Sequence, residues 1–352
     1  MRLEKYSGKL SAFLCIGLSA LCLMLTVFSA EVAAAVKEAV FRCLNVIIPS
    51  LFAVMAVSTL LIKTGASGFL SYLLYPLKKL LDLPDSLFAV FVISCFAGYP
   101  VGIRLLSELY EDKLTDKRSA SLMACCCYCG GPVFYSGTVG LAVFGSTRAG
   151  TLIFLSVAGA ELTAAFFISR LFRPQAAPAG SKTELSSELL TDSVLSAGRS
   201  MFSVCVMIVM FSAVLALADV LIFGREDGLN NTVVLIKSCF EITGLTNLNG
   251  NPYGLLPAIA ALCSFGGLCI VLQLCALKNP DLSLVPFLIS RVPAAALSAL
   301  LCRLLRPLML PDNIAVTAQN KLLFNVNNFI PSICLILMIF LLNLKKSLVF
   351  SE

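Results

Sequence analysis

Histidine and tryptophan are absent from this chain of 352 residues, and charged residues are scarce. The lack of histidine excludes histidine-dependent catalytic triads and histidine-ligated metal centres. Asp, Glu, Lys and Arg make up 13% of the residues, whereas water-soluble proteins carry about a quarter. With 59% hydrophobic residues and a mean hydropathy of +0.93, the composition indicates a multi-span integral membrane protein. No P-loop pattern and no soluble catalytic domain is recognisable, so neither an enzyme nor a cofactor is predicted.

The fifteen cysteines are spread over the apolar stretches, apart from a cluster at Cys125, Cys126, Cys127 and Cys129. Disulfide frameworks belong to short secreted domains, so most of these cysteines are interpreted as small buried hydrophobic residues. Cys126 and Cys129 have the C-x-x-C spacing of a soft-metal or redox site, with palmitoylation or packing as the alternative. A metal would need further ligands, and no metal site is predicted.

Eight apolar runs are long enough to cross a bilayer. They lie at about residues 10–30, 44–62, 119–147, 150–170, 200–223, 255–277, 282–302 and 328–344. The first run is long for a signal peptide and is interpreted as an uncleaved span. Residues 86–97 and 229–250 are short or interrupted and are interpreted as re-entrant half-helices. The predicted fold is therefore an all-α polytopic membrane protein, with about eight transmembrane helices and two re-entrant or broken helices.

Basic residues predict the orientation, because cytoplasmic loops of membrane proteins are enriched in Lys and Arg. With the N-terminus inside, the cytoplasmic segments contain 17 Lys or Arg and the outer segments seven. Both termini are therefore expected in the cytoplasm and the protein in the plasma membrane, with the lipid bilayer rather than nucleic acid as its partner. Residues 104–118 and 173–198 are predicted to be cytoplasmic, with Glu108 to Arg118 forming a solvated loop.

A short repeat divides the chain into halves. Residues 168–174 (Ile-Ser-Arg-Leu-Phe-Arg-Pro) match residues 301–307 (Leu-Cys-Arg-Leu-Leu-Arg-Pro). A double glycine lies upstream of each copy at nearly the same distance, at Gly130-Gly131 and at Gly266-Gly267. The first copy is predicted to be cytoplasmic and the second external, which indicates an inverted repeat. The predicted domains are an anchor span and amphipathic connector (1–43), a first repeat (44–174), a polar linker (175–198), a second repeat (199–344) and a short basic cytoplasmic tail (345–352).

Inverted repeats with broken helices are typical of secondary transporters, whose sites lie near the midplane of the bilayer. Glycine and proline release backbone groups there, and neutral polar side chains add donors and acceptors. The predicted substrate-binding residues are Gly98, Tyr99, Pro100, Gly102, Gly130, Gly131, Pro132, Ser136, Thr138, Glu241, Thr243, Asn247, Ser264, Gly266, Gly267 and Gln273. This lining suits a small polar or anionic solute or an ion. The alternative is that the glycines only allow close helix packing.

Two opposite charges lie in corresponding apolar runs of the two halves, Glu161 and Arg291. A single charge at bilayer depth is costly, so the two are predicted to meet. Their pair is either a structural lock between the halves or contains a carboxylate that couples transport to H⁺ or Na⁺. Lys237 and Glu241 are four residues apart and are predicted to pair on one helix face.

Motifs in both halves resemble the nucleoside-recognition, or Gate, domain family, and within it the YlbJ-type sporulation integral membrane proteins. The matching segments are residues 45–52, 98–102, 131–134, 137–140, 241–244, 264–268 with Gln273, and 286–291. The likeness covers roughly residues 30 to 340 in consistent order. The cysteine-rich stretch before Gly130 and the short segment 173–198 depart from the family pattern, so no particular substrate is carried over.

The family includes proteins similar to the membrane parts of nucleoside transporters and ferrous-iron permeases. The resemblance therefore implies a transporter or channel-like protein that moves a small polar molecule or ion and is linked to spore formation. A structural or assembly protein of a sporulation membrane is the alternative, and a divalent metal permease is the third. Whether the chain forms a homo-oligomer is left open.

Overall fold

A computed structural model describes residues 8–65, 67–177, 186–223, 231–250 and 252–310. These residues are almost entirely helical and contain no β-strand, as the composition predicts. The α-helices are α1 (Gly8–Val27), α2 (Ser29–Arg42), α3 (Ile48–Lys63), α4 (Ser67–Leu73), α5 (Tyr75–Leu81), α6 (Asp85–Ala97), α7 (Tyr99–Glu111), α8 (Lys117–Met123), α9 (Ala142–Phe144), α10 (Thr147–Phe172), α11 (Ser187–Ala218), α12 (Asn231–Ser238), α13 (Leu256–Phe265), α14 (Gly267–Leu277) and α15 (Val285–Met309). Wider π-helical turns cover Cys43–Ile47, Phe134–Leu141 and Asp219–Phe223, and tighter 3₁₀ turns cover Ile242–Asn247 and Pro252–Leu255.

Four segments of the described chain are long and apolar enough to cross a membrane. They are Thr147–Phe172, Ser187–Leu221, Pro252–Leu277 and Val285–Met309. Two bent pairs raise the number to six if each is one span: Phe13–Val27 with Ser29–Ile47, bent by 87°, and Tyr75–Leu81 with Asp85–Ala97, bent by 110°. Four of the eight expected spans thus have a counterpart among the described residues. The first bent pair contains most of the expected span at 10–30, and the second contains residues 86–97, which were expected to be re-entrant. The expected span at 328–344 lies outside the described residues.

Glycine places two of the helix breaks. Gly98 has a φ of 103°, a conformation that other residues rarely adopt, and it separates α6 from α7. Pro100 follows in the first turn of α7, where the missing amide proton costs nothing. Gly266, with a φ of 86°, separates α13 from α14 in the same way. Both breaks interrupt apolar sequence, so backbone groups are released inside the protein.

Most of the described helices pack around one large core, and a smaller second cluster lies between α2, α11 and α14. Helix α15 packs against α10 and α13, and α11 packs against α2 and α3. Helix α14 contacts both α7 and α11. The expected span at 119–147 is not one helix: α8 is followed by irregular chain and then by the π-helical turn Phe134–Leu141. Breaks from both halves of the sequence therefore lie in the interior of the same core.

Two segments that are predicted to be cytoplasmic differ from their expected form. Helix α11 begins at Ser187, where the Ser186 hydroxyl accepts a hydrogen bond from the Leu189 amide at 3.1 Å. The second part of the predicted linker is therefore helical. Glu108 is not in a solvated loop, because α7 continues to Glu111 and buries most of the Glu108 side chain beside Arg104. The charged residues from Asp112 to Arg118 include several that are exposed, as expected of a loop.

Candidate functional site

The centre of the candidate site is an ion pair between Arg291 of α15 and Glu161 of α10. Arg291 Nη1 donates to Glu161 Oε1 at 2.8 Å, and Nη2 lies 3.4 Å from Oε2. The two residues are 1% and 0% exposed. Burial of single charges at this depth would be very unfavourable, so the pair is the arrangement in which both are tolerated.

Further partners hold the Arg291 guanidinium in place. Nη1 donates to the Ser264 carbonyl at 3.3 Å, and Nη2 donates to the Cys125 carbonyl. The guanidinium carbon also lies 4.7 Å from the ring centre of Tyr128 and 4.8 Å from that of Phe287. These cation–π contacts add stabilisation that grows when water is excluded. Arg291 therefore joins the end of α13 to the irregular chain after α8.

Two polar atoms beside the ion pair are left without partners. Arg291 Nε and Ser264 Oγ are buried and form no hydrogen bond with the described residues. Ser264 is 0% exposed and lies two residues before the break at Gly266. Buried polar atoms are normally paired, since an unpaired one costs about 1–3 kcal/mol. A donor and a hydroxyl are thus available to a polar or anionic group.

Tyrosine hydroxyls connect the helix breaks of the two halves. Tyr99, next to the Gly98 break, donates to the Cys263 carbonyl at 2.8 Å and lies 3.0 Å from the Tyr135 hydroxyl. Tyr135 in turn accepts from the Gly130 amide at 3.1 Å, and Tyr128 donates to the Phe265 carbonyl at 3.4 Å. Tyr99, Tyr128 and Tyr135 are called the tyrosine cluster below.

Close backbone approach limits what can change at these breaks. A Cβ at Gly266 would lie 1.5 Å from the Tyr128 hydroxyl, and one at Gly131 would lie 2.8 Å from the Phe96 carbonyl. A Cβ at Gly102 would lie 2.1 Å from the Cys127 carbonyl. The glycines therefore allow both close packing and the helix breaks, and the two interpretations are not exclusive here.

A second group of predicted residues surrounds Glu241. This residue follows α12 in the chain and lies beside the first turn of α14. Glu241 is 5% exposed, and its Oε1 accepts a hydrogen bond from the Thr243 amide at 3.2 Å. Thr243 Oγ accepts a hydrogen bond from Arg42, and Gln273 donates to the Cys269 thiol at 3.3 Å. The pair Gly266–Gly267 links this group to the first, because Gly267 opens α14.

Several predicted residues lie away from both groups or have other partners. Asn247 is exposed, and the Ser136 hydroxyl donates to the Pro132 carbonyl at 2.7 Å. Thr138 is partly buried in the π-helical turn. The predicted pair of Lys237 with Glu241 was wrong: α12 ends at Ser238, before Glu241, and Lys237 forms an ion pair with Asp219.

The sequence argument missed a buried charged cluster around Arg104. Arg104 is 3% exposed and donates to Glu108 at 2.9 Å, to the Thr59 hydroxyl at 2.8 Å and to the Ser196 hydroxyl at 3.0 Å. Burial raises the pKa of Glu108, although Arg104 and Lys63 partly oppose that rise. The i,i+4 spacing of Arg104 and Glu108 indicates an ion pair on one helix face, but Glu108 was predicted to lie in a solvated loop.

The cysteine cluster is buried, and its chain contributes the Cys125 carbonyl to Arg291. Within the described ranges, no group of three or more His, Cys, Asp or Glu residues is placed to hold a metal ion. Comparison of the chain with family models, curated proteins and solved structures gives no match. Its long apolar helices and internal charges define a helical membrane protein.

Proposed function

We propose that this protein is a plasma-membrane transporter or channel-like protein that moves a small polar solute or ion. One observation carries the proposal: the end of α13 before the Gly266 break and the irregular chain after α8 meet at the Glu161–Arg291 pair, where Arg291 Nε and Ser264 Oγ have no described partner. Interrupted helices at membrane depth are tolerated only where protein covers them or a polar cavity meets them. In secondary transporters such interruptions form the substrate site.

The proposed site binds its solute by replacing internal partners. Arg291 Nε and the Ser264 hydroxyl would contact a polar or anionic group, while Tyr99 and Tyr128 would exchange their carbonyl partners in α13 during movement. In this proposal the first of eight spans is an anchor, and residues 44–174 and 199–344 form two inverted repeats that alternate access to the site. The Gate-family resemblance links the function to spore formation.

A structural or assembly role is the second candidate. It is favoured by the number of partners that Arg291 has: Glu161, two backbone carbonyls, the Ser290 hydroxyl and two aromatic rings. In this second candidate function, the contacts of Arg291 hold α10, α13 and α15 together and bind no solute. A substitution that keeps these contacts should alter solute movement if the protein is a transporter. It should have no such effect if the role is structural.

Ser264→Ala is the variant that tests the proposal. It removes an unpaired buried hydroxyl, so we expect stability to be kept or slightly raised. The solutes to test are those whose cellular concentrations differ between wild type and a deletion strain during spore formation. Their uptake into lipid vesicles that contain the Ser264→Ala variant should be at least tenfold lower than into vesicles that contain the wild-type protein. Ser156→Ala is the matched control, since that buried hydroxyl donates within its own helix to the Leu152 carbonyl at 2.7 Å. Unchanged uptake in a folded Ser264→Ala variant would contradict the proposed site.

A further inference from the structure

An open groove of about 530 Å³ lies between α8, the end of α10 and the start of α15. Helix α8 contacts both of the longer helices. Phe172, the last residue of one candidate membrane span, lines the groove, as does Pro286, the second residue of another. The groove therefore lies where two apolar spans meet water, which is the level of the lipid headgroups. The distribution of basic residues predicts that this end of the spans faces the cytoplasm.

Much of the groove is apolar. Leu122, Phe172 and Pro286 line it, and Phe172 is 45% exposed. Ile289 and Pro293 follow Pro286 at spacings of three and four residues, so they continue the same face of α15, and both are exposed. An acyl chain can therefore pass from the groove onto the surface of α15 while it stays in contact with apolar side chains.

Two basic side chains border this apolar surface. Lys117 and Arg118 line the groove and are exposed, and neither side chain forms an ion pair with a described residue. Asp116 also lines the groove, but its carboxylate accepts the backbone amides of Arg118 and Ser119 at 3.0 and 3.1 Å. Two positive charges are therefore present with one carboxylate, and the groove has an excess of positive charge.

A buried hydroxyl adds a neutral donor. Ser121 lines the groove and is 6% exposed. Its oxygen accepts a hydrogen bond from the Ser283 amide at 3.1 Å, while its proton has no acceptor among the described residues. Exposed cations and a hydroxyl donor are groups that bind phosphate oxygens. A soluble phosphate would leave the apolar part of the groove in water, whereas a phospholipid covers both parts.

We propose that this groove binds an anionic phospholipid. Its phosphate contacts Lys117, Arg118 and the Ser121 hydroxyl, and one acyl chain lies on Phe172 and Pro286. Basic pockets between spans on the cytoplasmic side suit anionic headgroups, because that leaflet carries negative lipids. This binding does not depend on the proposed movement of a solute.

A lipid in the groove joins the elements that hold the central ion pair. Helix α10 carries Glu161 and α15 carries Arg291. The chain that follows α8 supplies the Cys125 carbonyl that Arg291 contacts. Bound lipid should therefore stabilise the folded protein, as any ligand does that binds only the folded state.

Lipid binding can be measured on the purified full-length protein in a neutral detergent. We expect phosphatidylglycerol to raise the midpoint of thermal unfolding in a saturable way, and native mass spectrometry to show retained phosphatidylglycerol. Combining Lys117→Gln with Arg118→Gln should raise the lipid concentration for half-maximal stabilisation about tenfold or more, since each basic residue strengthens binding to anionic lipid. Lys37→Gln with Arg148→Gln is the matched control. It removes the same charge at two exposed positions outside the groove and should keep the wild-type response.

Phe172→Ala tests the apolar contact while both charges stay in place. It should also raise the half-maximal concentration of phosphatidylglycerol, because Phe172 is replaced by a much smaller apolar side chain. An unchanged value in this variant or in the Lys117 and Arg118 double variant would overturn the proposal. An equal response to phosphatidylcholine with the same acyl chains would do so too, because the charge would then not be recognised.

Soluble anions separate the lipid from its headgroup alone. Inorganic phosphate and glycerol 3-phosphate carry the charge without an acyl chain, so neither should raise the midpoint at the concentrations at which phosphatidylglycerol does. If either gives the same saturable response, the groove is a site for a soluble anion and the proposal fails.

Discussion

At the scale of single residues, the pairing of Arg291 with Glu161 decides whether either charge is tolerated. Glu161→Gln and Arg291→Gln each leave one buried charge without its opposite, and the expected loss of stability is about 3–5 kcal/mol. The double variant removes both charges and should recover part of that loss. Unfolding of the four proteins in one detergent gives the coupling free energy. Strictly additive losses would show that the two side chains do not act as a pair.

Glu108 gives a residue-scale prediction about pH. Burial raises the pKa of this carboxyl above its ordinary value of 4.5, so the folded protein binds the proton more tightly than the unfolded chain. The stability that Glu108 contributes is therefore fully present below about pH 4.5 and is lost as pH rises through the folded-state pKa. The difference in unfolding free energy between wild type and Glu108→Gln should fall over that range. A difference that stays constant over that range would contradict the raised folded-state pKa of Glu108.

At the scale of elements, the break between α13 and α14 depends on a glycine. Gly266→Ala would place a methyl group 1.5 Å from the Tyr128 hydroxyl, on a backbone with a φ of 86°. The left-handed conformation costs about 1–2 kcal/mol and the overpacking about 1–3 kcal/mol more. Thermal unfolding should show this loss. Gly254→Ala is the control, because nothing lies within 4 Å of its Cβ position, and equal stability of the two variants would contradict the account of the break.

The elements also show how far sequence reasoning reaches. The run at 150–170 falls within α10 and most of the run at 282–302 falls within α15, since length and apolar composition are local properties. The interruptions at Gly98 and Gly266 follow from glycine in the same way. The burial of Arg104 could not be read locally, because its partners Thr59 and Ser196 come from helices distant in the chain.

The candidate site was predictable to a similar extent. The cost of a lone charge in an apolar span pointed to Glu161 and Arg291, which the structure places in contact. The aromatic contacts of Tyr128 and Phe287 with Arg291 have no sequence signature, because aromatic residues are common in apolar chains. The partner of Lys237 was missed because the end of α12 could not be placed.

At the scale of the whole molecule, the charge distribution predicts the orientation. Lys113 lies in an exposed turn that is predicted to be cytoplasmic, and Arg148 begins α10 on the predicted outer side. In a cysteine-depleted background, a membrane-impermeant thiol reagent should label Arg148→Cys in intact cells and leave Lys113→Cys unreacted until the membrane is opened. Labelling of both Lys113→Cys and Arg148→Cys from outside would contradict the re-entrant assignment of residues 86–97 and, with it, the inverted repeat.

The links from the tyrosine cluster to α13 make the two sides of this contact unequal in their tolerance to mutation. Tyr99 and Tyr128 donate to the main-chain carbonyls of Cys263 and Phe265, which every amino acid provides. Phe265 is partly exposed, so position 265 should accept many replacements, and the fully buried position 263 should accept small apolar ones. The hydroxyls come from side chains, and Tyr99→Phe or Tyr128→Phe removes them. A saturation library scored for folded protein should therefore show strict selection at 99 and 128 opposite permissive positions on α13, so that the contact between the halves persists while the sequence of one half drifts.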